Sequence, residues 1–397
     1  KVAALYPHVL DAVIDPAFSA PRHDAERVAQ RVRAMVGTPP PSVEDGLDRM
    51  RDAARQENFL VGARLLSGVI NAEQAAQGYA AAAQACVRVA FEDTRAAFAA
   101  DHGLVAGAHA VVLGMGRLGA GELTPSSDLD LMLLYDRPDD AEASDGKRPL
   151  DPVTWHVRFT QRLVAALTVP TRRGTLYQVD MRLRPAGNKS PAATQFGGFE
   201  AYHQGEAEIW EEMALTRARV VAGDAALREK VETAIREILL RKREPAKVAA
   251  AVAEMRALIA KEKGEGDAWD LKLAAGGLTD LDFLAQFLVL AYGHDHPQLL
   301  ARTTSGVFAA ARDTGVIAAG EAERLAAAAR FIGDVQLWQR FAVEEEFDPK
   351  AVPGRVLNRI ATAVGLPDAK VLKAELDERR AMVRGLFKQI LGGAQKA

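Results

Sequence analysis

The sequence predicts an α+β protein in which a mixed sheet with its own helices is flanked by helical regions. Strand-like runs cluster in the middle of the chain, as AHAVVLGMG, LDLMLLYD and the alternating TLYQVDMRLRP. On both sides of them, apolar residues recur at helical spacing. We therefore predict an N-terminal helical region over residues 1–103, a sheet-containing domain over 104–223 and a C-terminal helical bundle over 224–397.

Local signals mark where several helices begin and end. The run NAEQAAQGYAAAAQACVRVAFEDTRAAFAADHG predicts one long helix that ends at Gly103, because alanine favours helix and glycine usually follows the last turn. Asp151 and Pro152 fit the N-cap and the first residue of the next helix. Thr279 and Asp282 have the spacing of a capping box at the start of a later helix.

Composition narrows the class of partner. The chain has 397 residues and a formal net charge of −3. This charge argues against a nucleic-acid partner, because proteins that bind nucleic acid present basic surfaces to its phosphates. No apolar run reaches the roughly 20 residues that span a bilayer, so no membrane partner is expected.

Cys86 is the single cysteine, and we expect a buried thiol in a reducing, cytoplasmic compartment. Because the chain begins with Lys1, we expect a piece of a longer protein.

The stretch VVLGMGRLGAGELTPSSDLDLMLLYD, residues 111–136, contains two competing phosphate signals. Gly114, Gly116 and Gly119 match the dinucleotide-binding pattern, with Asp136 about 20 residues further on. That fold needs a long helix directly after the glycines. The segment RLGAGELTPSS opposes one, because glycine costs a helix about 1 kcal/mol and proline about 3 kcal/mol. We therefore reject the dinucleotide interpretation.

The second signal is the pair Asp128 and Asp130, which alternates with leucines at the start of an apolar run. In a strand, residues two apart point to one face and lie about 6.6 Å apart, so both carboxylates can converge on a metal. Like charges at this spacing are unfavourable without a cation, which favours Mg²⁺ and its preference for oxygen ligands. The alternative is an exposed edge strand with solvated acids, against which the leucines argue.

A third signal is the alternation in YQVDMRLRP. Period two predicts a strand with Gln178, Asp180, Arg182 and Arg184 on one face. Asp180 could complete the metal site, and the two arginines could bind phosphate oxygens through paired hydrogen bonds. The alternative is an internal ladder of salt bridges.

A glycine loop, a Ser-Asp-x-Asp run and a later lone aspartate on a strand resemble the polymerase-β-like nucleotidyltransferase superfamily. The resemblance implies that residues 104–223 form a nucleotidyltransferase domain. One departure is that the usual Gly-Ser pair is Gly116–Arg117 here. Arg117 is therefore expected to make the triphosphate contact that the serine would make.

Four segments narrow the resemblance to the bacterial glutamine-synthetase adenylyltransferases: GMGRLGAGELTPSSDLDLMLLYD, YQVDMRLRPAGNKSP, WEEMALTRARVVAGD and WDLKLAAGGLTDLDFLAQFLVL. The likeness runs from about Pro16 to the C-terminal helices. This family carries two related halves, one that adenylylates glutamine synthetase and one that removes the AMP. The removing half tends to have Arg-Glu in place of Thr279–Asp280, so the chain is similar to the adenylylating half.

The resemblance implies Mg²⁺-dependent transfer of AMP from ATP to a tyrosine of glutamine synthetase, which releases pyrophosphate and lowers synthetase activity in nitrogen regulation. It implies the PII signal protein and glutamine as regulators, with no residue assigned to either. Three aspartates would be both catalytic and metal-binding: Asp128, Asp130 and Asp180. Backbone N–H groups and side chains of a second set would bind ATP. This second set is Gly116, Arg117, Ser127, Arg182 and Arg184.

Three alternatives stay open. The chain could be the adenylyl-removing half, a nucleotidyltransferase for a small molecule or RNA, or a non-catalytic module that only binds a partner. The long helical flanks and the net charge argue against RNA, and the complete set of three aspartates argues against the module. The segment from Lys272 to Asp282, with Thr279 and Asp280, is one that the family shares. It could cap its helix through Thr279 and Asp282, or it could lean over the nucleotide.

Overall fold

The computed structural model describes residues 18, 24–185, 187–264, 266–267, 269–343, 347 and 352–396. The chain divides into two compact units. Unit 1 comprises the residues up to Glu206 together with Arg217–Ala234, and unit 2 comprises Ala207–Thr216 together with Ile235–Ala397. The N-terminal helices and the sheet belong to one compact unit. The domain boundaries predicted after residues 103 and 223 remain a prediction. The start of the family likeness near Pro16 lies outside the described residues.

Among the described residues, three helices precede the sheet in unit 1: α1 (Ala25–Val36), α2 (Val43–Leu66) and α3 (Ala72–His102). Each begins at a side chain that accepts hydrogen bonds from first-turn N–H groups, and these caps are Asp24, Ser42 and Asn71. The predicted end of the long helix is confirmed, since Gly103 follows it with a φ of 68°. Cys86 is buried in α3 as predicted, and burial raises the pKa of its thiol to about 12.

The sheet has five strands: β1 (His109–Gly114), β2 (Leu129–Asp136), β3 (Val179–Asp180), β4 (Ala193–Gln195) and β5 (Arg219–Gly223). β2 pairs antiparallel with β1 and parallel with both β3 and β4, while β1 also pairs antiparallel with β5. The predicted mixed sheet is confirmed. β2 has neighbours on both sides, which contradicts the alternative of an exposed edge strand.

Three helices of unit 1 are interleaved with the strands: α4 (Gly116–Ala120), α5 (Pro152–Thr168) and α6 (Phe196–Gly205). α4 has five residues and joins two antiparallel strands, so the rejection of a dinucleotide fold is confirmed. The start of α5 is also confirmed, because Asp151 accepts a hydrogen bond from the backbone N–H of Thr154 and Pro152 is the first helical residue.

Unit 2 is helical in the residues that the structure describes, which confirms the predicted C-terminal helices. Its first helix is α7 (Ile209–Leu215), and α8 (Ala225–Leu239) begins in unit 1 and ends in unit 2. The later helices are α9 (Pro245–Lys263), α10 (Leu278–Tyr292), α11 (Thr304–Asp313), α12 (Ala319–Ala342), α13 (Gly354–Ala363) and α14 (Ala369–Ala394).

A buried carboxylate joins three segments of unit 2. Asp280, in the first turn of α10, is fully buried and accepts hydrogen bonds from Arg256 of α9 and from the backbone N–H of Gly276. Arg384 of α14 lies 3.2 Å from the same carboxylate. Removing one member of such a buried pair leaves an uncompensated charge, which typically costs about 3–5 kcal/mol. Asp280 therefore has a structural role in unit 2.

The predicted capping box at α10 is wrong. α10 begins at Leu278 after Gly277, with no side-chain cap. The carboxylate of Asp282 instead accepts a hydrogen bond of 2.7 Å from the hydroxyl of Thr304. Because its carboxylate makes this tertiary contact, Asp282 does not cap the start of α10 as its spacing from Thr279 had suggested.

None of the described helices combines the length and the apolar composition needed to cross a lipid bilayer.

His156 of α5 generates a prediction about acid stability. Its ring is 2% exposed and stacks on Tyr135 of β2 with 4.1 Å between centroids. Burial lowers the pKa of His156 to about 4 from an ordinary value of 6.5. The unfolded imidazole therefore takes up a proton below pH 6.5 while the folded one stays neutral, so stability is lost as pH falls from about 6.5 towards 4.

When the pH falls from 7 to 5, protonation of His156 in the unfolded chain should lower the free energy of unfolding by about 2 kcal/mol. His156→Phe keeps an aromatic ring on Tyr135 and should remove that part of the loss. Urea unfolding at both pH values measures it. His294→Gln, at an exposed histidine, is the control and should keep the wild-type difference. An unchanged pH dependence in His156→Phe would contradict the assignment.

Candidate active site

The strands that carry two of the predicted acids run parallel and in register. Asp130 is the second residue of β2, and its partner across the ladder is Asp180, the last residue of β3. Paired residues point to the same face of a sheet, and neighbouring strands lie about 4.8 Å apart. The sheet therefore places these carboxylates side by side at the beginning of β2. Asp128 directly precedes β2 and is exposed.

The carboxylate of Asp180 is held by Arg182. The Nε of Arg182 lies 2.8 Å from Oδ2 and 3.0 Å from Oδ1, and its Nη2 lies 2.5 Å from Oδ2. These contacts with Arg182 lower the pKa of Asp180 below its ordinary value. The acid is therefore ionised at neutral pH and already has a cation beside it.

The predicted strand over TLYQVDMRLRP is wrong in extent, because only Val179 and Asp180 form β3. The backbone N–H of Arg182 donates to Asp180 Oδ1 at 2.8 Å, and an aspartate that bonds the backbone two residues on favours a turn. Arg182 and Arg184 therefore lie in turns beyond the strand, and the predicted polar strand face does not form. The hydrogen-bonding side chain of Asp180 overrides the alternation.

Arg184 holds the loop that follows β3. Its guanidinium donates to the carbonyl oxygens of Met181 at 2.6 Å and Ser190 at 3.2 Å. These bonds favour a structural role for Arg184. The sequence had left both a structural role and phosphate binding open for this residue.

The glycine loop faces the carboxylate of Asp130. Gly116 opens α4 with a φ of 52°, and a Cβ on it would lie 2.2 Å from Asp130 Oδ2. The backbone N–H of Met115 donates to the carbonyl oxygen of Asp130 at 2.9 Å. Glycine is needed here for the left-handed conformation and because the carboxylate approaches its Cα so closely. The structure thus brings the glycine loop to the paired acids.

Two residues that sequence reasoning missed hold the far end of this loop. Arg219 of β5 donates to the carbonyl oxygens of Gly119 at 3.0 Å and Leu118 at 3.2 Å. A Cβ on Gly119 would lie 1.9 Å from the carbonyl oxygen of Arg217, so the two backbones are in close contact. A guanidinium at the last carbonyls of a helix is favourable. The segment WEEMALTRARVVAGD, which contains both arginines, indicated only a family likeness. Their contacts with the glycine loop could not be predicted from it, because those contacts depend on the pairing of β5 with β1.

Ser127 and Arg117 lie between the glycine loop and the first acid. Ser127 Oγ accepts a hydrogen bond from the backbone N–H of Thr124 at 3.0 Å and lies 2.8 Å from the Thr124 hydroxyl. The Nη1 of Arg117 lies 3.5 Å from the carbonyl oxygen of Glu122. These contacts order the connection to Asp128. An ATP-binding role for either residue stays a prediction.

The donor set fits a hard cation. Carboxylate oxygens are ligands that Mg²⁺ prefers, and two carboxylates share one face of the sheet with a third beside β2. Within the described ranges, no three His, Cys, Asp or Glu groups converge into a ready-made metal site. Arg182 occupies the carboxylate of Asp180, so coordination by Asp180 requires that this guanidinium move away.

Comparison with known proteins places the chain in a family. The family model described as glutamate-ammonia ligase adenylyltransferase matches residues 1–234, more than half of the chain. The chain belongs to this family. The matched residues end where unit 1 ends, so the N-terminal helices and the sheet are one unit in the family model and in the structure. A second model, GlnD PII-uridylyltransferase, matches residues 249–391 within unit 2.

Three relatives share the name bifunctional glutamine synthetase adenylyltransferase/adenylyl-removing enzyme. The protein from Bradyrhizobium diazoefficiens is 42% identical over the whole chain, which covers 40% of that relative. The protein from Rhodopseudomonas palustris is 41% identical over 98% of the chain and 39% of the relative. The protein from Xanthobacter autotrophicus is 40% identical over 98% of the chain and 40% of the relative. The chain thus spans about two fifths of their length.

The contact between Gly116 and Asp130 generates a prediction about stability. Gly116→Ala adds a Cβ that meets Asp130 Oδ2 in a left-handed backbone. The left-handed conformation costs about 1–2 kcal/mol and overpacking about 1–3 kcal/mol, so we expect a loss of about 3 kcal/mol in the free energy of unfolding. Urea unfolding measures this loss.

Gly121→Ala is the matched control. Gly121 also has a positive φ, of 78°, but no atom lies within 4 Å of its added Cβ. It should therefore lose only about 1–2 kcal/mol, the conformational part. Equal losses in the two variants would contradict the close approach of the carboxylate to Gly116.

Proposed function

We propose that the chain transfers AMP from ATP to a tyrosine hydroxyl of glutamine synthetase and releases pyrophosphate. The observation that carries the proposal is the register of Asp130 with Asp180 beside the glycine loop at Gly116. Two acids and a glycine loop on one sheet face suit nucleotidyl transfer, which depends on positioning and charge neutralisation. The family membership and the names of the relatives support the substrate.

In this proposal Asp128, Asp130 and Asp180 hold Mg²⁺, which neutralises negative charge on the triphosphate when bound. Backbone N–H groups at Gly116 and Arg117, with the hydroxyl of Ser127, cradle the phosphates. The Arg182 guanidinium leaves Asp180 and binds phosphate oxygens, because it can form paired hydrogen bonds with them. Arg184 keeps the loop after β3 in place.

The reaction forms a bond between the tyrosine oxygen and the α-phosphorus and breaks the bond from that phosphorus to the bridging oxygen of the leaving pyrophosphate. Asp180 accepts the tyrosine proton as general base. An aspartate carboxylate is ionised at neutral pH with or without Arg182 beside it, as this role requires. Arg182, once on the phosphates, would stabilise the charge that develops on pyrophosphate.

The adenylylating direction and the control of the enzyme are also proposals. Thr279–Asp280 supports the adenylylating half, and the alternative is the half that removes AMP by phosphorolysis. We propose the PII signal protein and glutamine as regulators, supported by the match of residues 249–391 to a PII-uridylyltransferase model. A cytoplasmic location is proposed with this function.

The test uses α-labelled ATP, Mg²⁺ and glutamine synthetase. We expect label on the synthetase, and Asp130→Asn should slow its transfer at least about 100-fold, since losing one ligand of a charge-neutralising site costs about 3 kcal/mol. Asp136→Asn is the matched control at the far end of β2, where Asp136 pairs with Lys230, and it should retain activity within about twofold.

A parallel reaction contains adenylylated synthetase and phosphate without ATP. Formation of ADP there, with no label transferred from ATP, would identify the removing half instead. Absence of both reactions, or equal rates for wild type and Asp130→Asn, would overturn the assignment of the site.

The ion pair between Asp180 and Arg182 generates a second prediction. Arg182→Met removes the guanidinium that neutralises Asp180, so Mg²⁺ should bind the nucleotide-free protein about fivefold more tightly, as one lost repulsive charge of about 1 kcal/mol implies. The KM for ATP should rise, because a phosphate contact is lost. Isothermal titration with Mg²⁺ measures the first effect, and steady-state kinetics the second.

Arg158→Met is the control, since Arg158 is an exposed residue of α5 and the variant loses the same charge. Its Mg²⁺ affinity and KM should stay at the wild-type values. Unchanged Mg²⁺ affinity in Arg182→Met would mean that Asp180 is not a ligand.

A further inference from the structure

A buried arginine of the N-terminal helices reaches the segment that precedes Asp180. Arg51, in the middle of α2, is 1% exposed and is among the largest fully buried side chains of the described residues. Its guanidinium bonds the carbonyl oxygen of Leu47 in its own helix at 2.9 Å. Its other bonds all go to carbonyl oxygens more than 100 residues away in the sequence.

Those distant carbonyls belong to the connection between α5 and β3. Arg51 Nη2 donates to Val169 at 2.5 Å and Ala166 at 3.4 Å, both at the C-terminal end of α5. Arg51 Nε donates to Gly174 at 2.7 Å. Gly174 is bridged to Thr171 and closes a tight turn. One guanidinium therefore caps α5 and fastens the turn that follows it.

Neighbouring residues of α2 hold the same turn. Asp48, which is 4% exposed, accepts a hydrogen bond of 2.5 Å from Arg172. Arg55 donates to the carbonyl oxygen of Arg173. Together with Arg51, these contacts attach three successive turns of α2 to residues 169–174. The attachment combines a buried guanidinium with a buried carboxylate, so it is a specific contact rather than general packing.

The fastened turn leads directly to Asp180. Beyond it, the backbone N–H of Tyr177 donates to the carbonyl oxygen of Leu167 at 3.1 Å, and Gln178 accepts from Leu129 at 2.9 Å. β3 then pairs with β2 through two residues only. A strand of two residues barely specifies its own register. The anchored segment that precedes β3 therefore decides how Asp180 aligns with Asp130.

We propose that Arg51 is a positioning residue for Asp180, and that α2 is part of the scaffold of the active site. This inference rests on the proposed function, since it assigns Arg51 to the reaction through Asp180. Arg51 contributes charge-assisted hydrogen bonds that methionine cannot replace. Its loss removes the donor to the carbonyl oxygen of Val169 and one of the two donors to that of Gly174, which also accepts from the backbone N–H of Thr171. The turn before β3 should then loosen.

The first test does not depend on activity. Hydrogen exchange is measured by mass spectrometry on peptides that cover residues 170–180 of the full chain without metal or nucleotide. Arg51→Met should accelerate exchange of the Gly174 and Tyr177 amides at least about tenfold. Arg49→Met, at an exposed position of the same helix, is the matched control and should stay within about twofold of wild type. Unchanged exchange in Arg51→Met would overturn the proposal.

The second test joins the turn to the reaction. Arg51→Met should lower kcat for AMP transfer at least about tenfold and raise the half-saturating Mg²⁺ concentration, with the KM for ATP within about twofold. In the double variant with Asp180→Asn, the rate should stay within about twofold of Asp180→Asn alone, because both changes act on one group. Multiplying effects would overturn the inference.

The failures of the two proposals are distinguishable. If wild type transfers no AMP, the proposed function fails while the exchange result still reports on the turn. If Asp180→Asn is inactive but Arg51→Met is fully active, only the positioning role fails. Should Arg51→Met not fold, Arg55→Met removes one bond to the same turn, and it should show exchange about threefold faster and a smaller loss of kcat. Wild-type values in that variant would contradict the proposal.

Discussion

The pairing of Asp130 with Asp180 is the constraint on which the site depends. Two carboxylates in register on parallel strands repel each other, and nearby positive charge offsets this repulsion. Arg182 supplies that charge in the structure. A site organised in this way can exchange one cation for another without rebuilding the sheet. In the proposed function, Mg²⁺ takes over this neutralisation when Asp180 becomes a metal ligand.

Contacts to backbone carbonyls place the parts of the site. Arg219 holds the end of the glycine loop, Arg184 the loop after β3, and Arg51 the turn before it. Each guanidinium comes from a different element and donates to carbonyl oxygens at the end of a helix or in a turn. Arg219 and Arg51 position these carbonyl oxygens from distant elements, whereas Arg184 acts within its own loop. The short β3 would otherwise be weakly specified.

This arrangement explains why the N-terminal helices and the sheet form one unit. The family model covers residues 1–234 as a whole, and the compact unit has the same C-terminal limit. Unit 2 has its own organising group in Asp280, which three segments surround. Asp280, which belongs to the motif that resembles the family, thus has a structural role within unit 2.

Much of the fold follows from the sequence alone. β1, β2, the long α3 and the start of α5 were predictable because apolar periodicity, alanine content and caps act locally. The glycine loop and the pair Asp128 and Asp130 were recognisable for the same reason, since their residues are adjacent in the chain. The rejection of a dinucleotide site also needed only the local cost of glycine and proline in a helix.

Side-chain hydrogen bonds decided the rest, one of them local and the others tertiary. The alternation around Asp180 suggested a long strand, but the side chain of Asp180 bonds the backbone of Arg182 and ends it. The spacing of Thr279 and Asp282 suggested a cap, but Thr304 takes the carboxylate. The contacts of Arg51 and Arg219 join residues about 100 or more positions apart, where no local pattern records them. The sequence thus determined most of the elements and the candidate residues that they carry, whereas hydrogen bonds between distant segments decided which side chains meet.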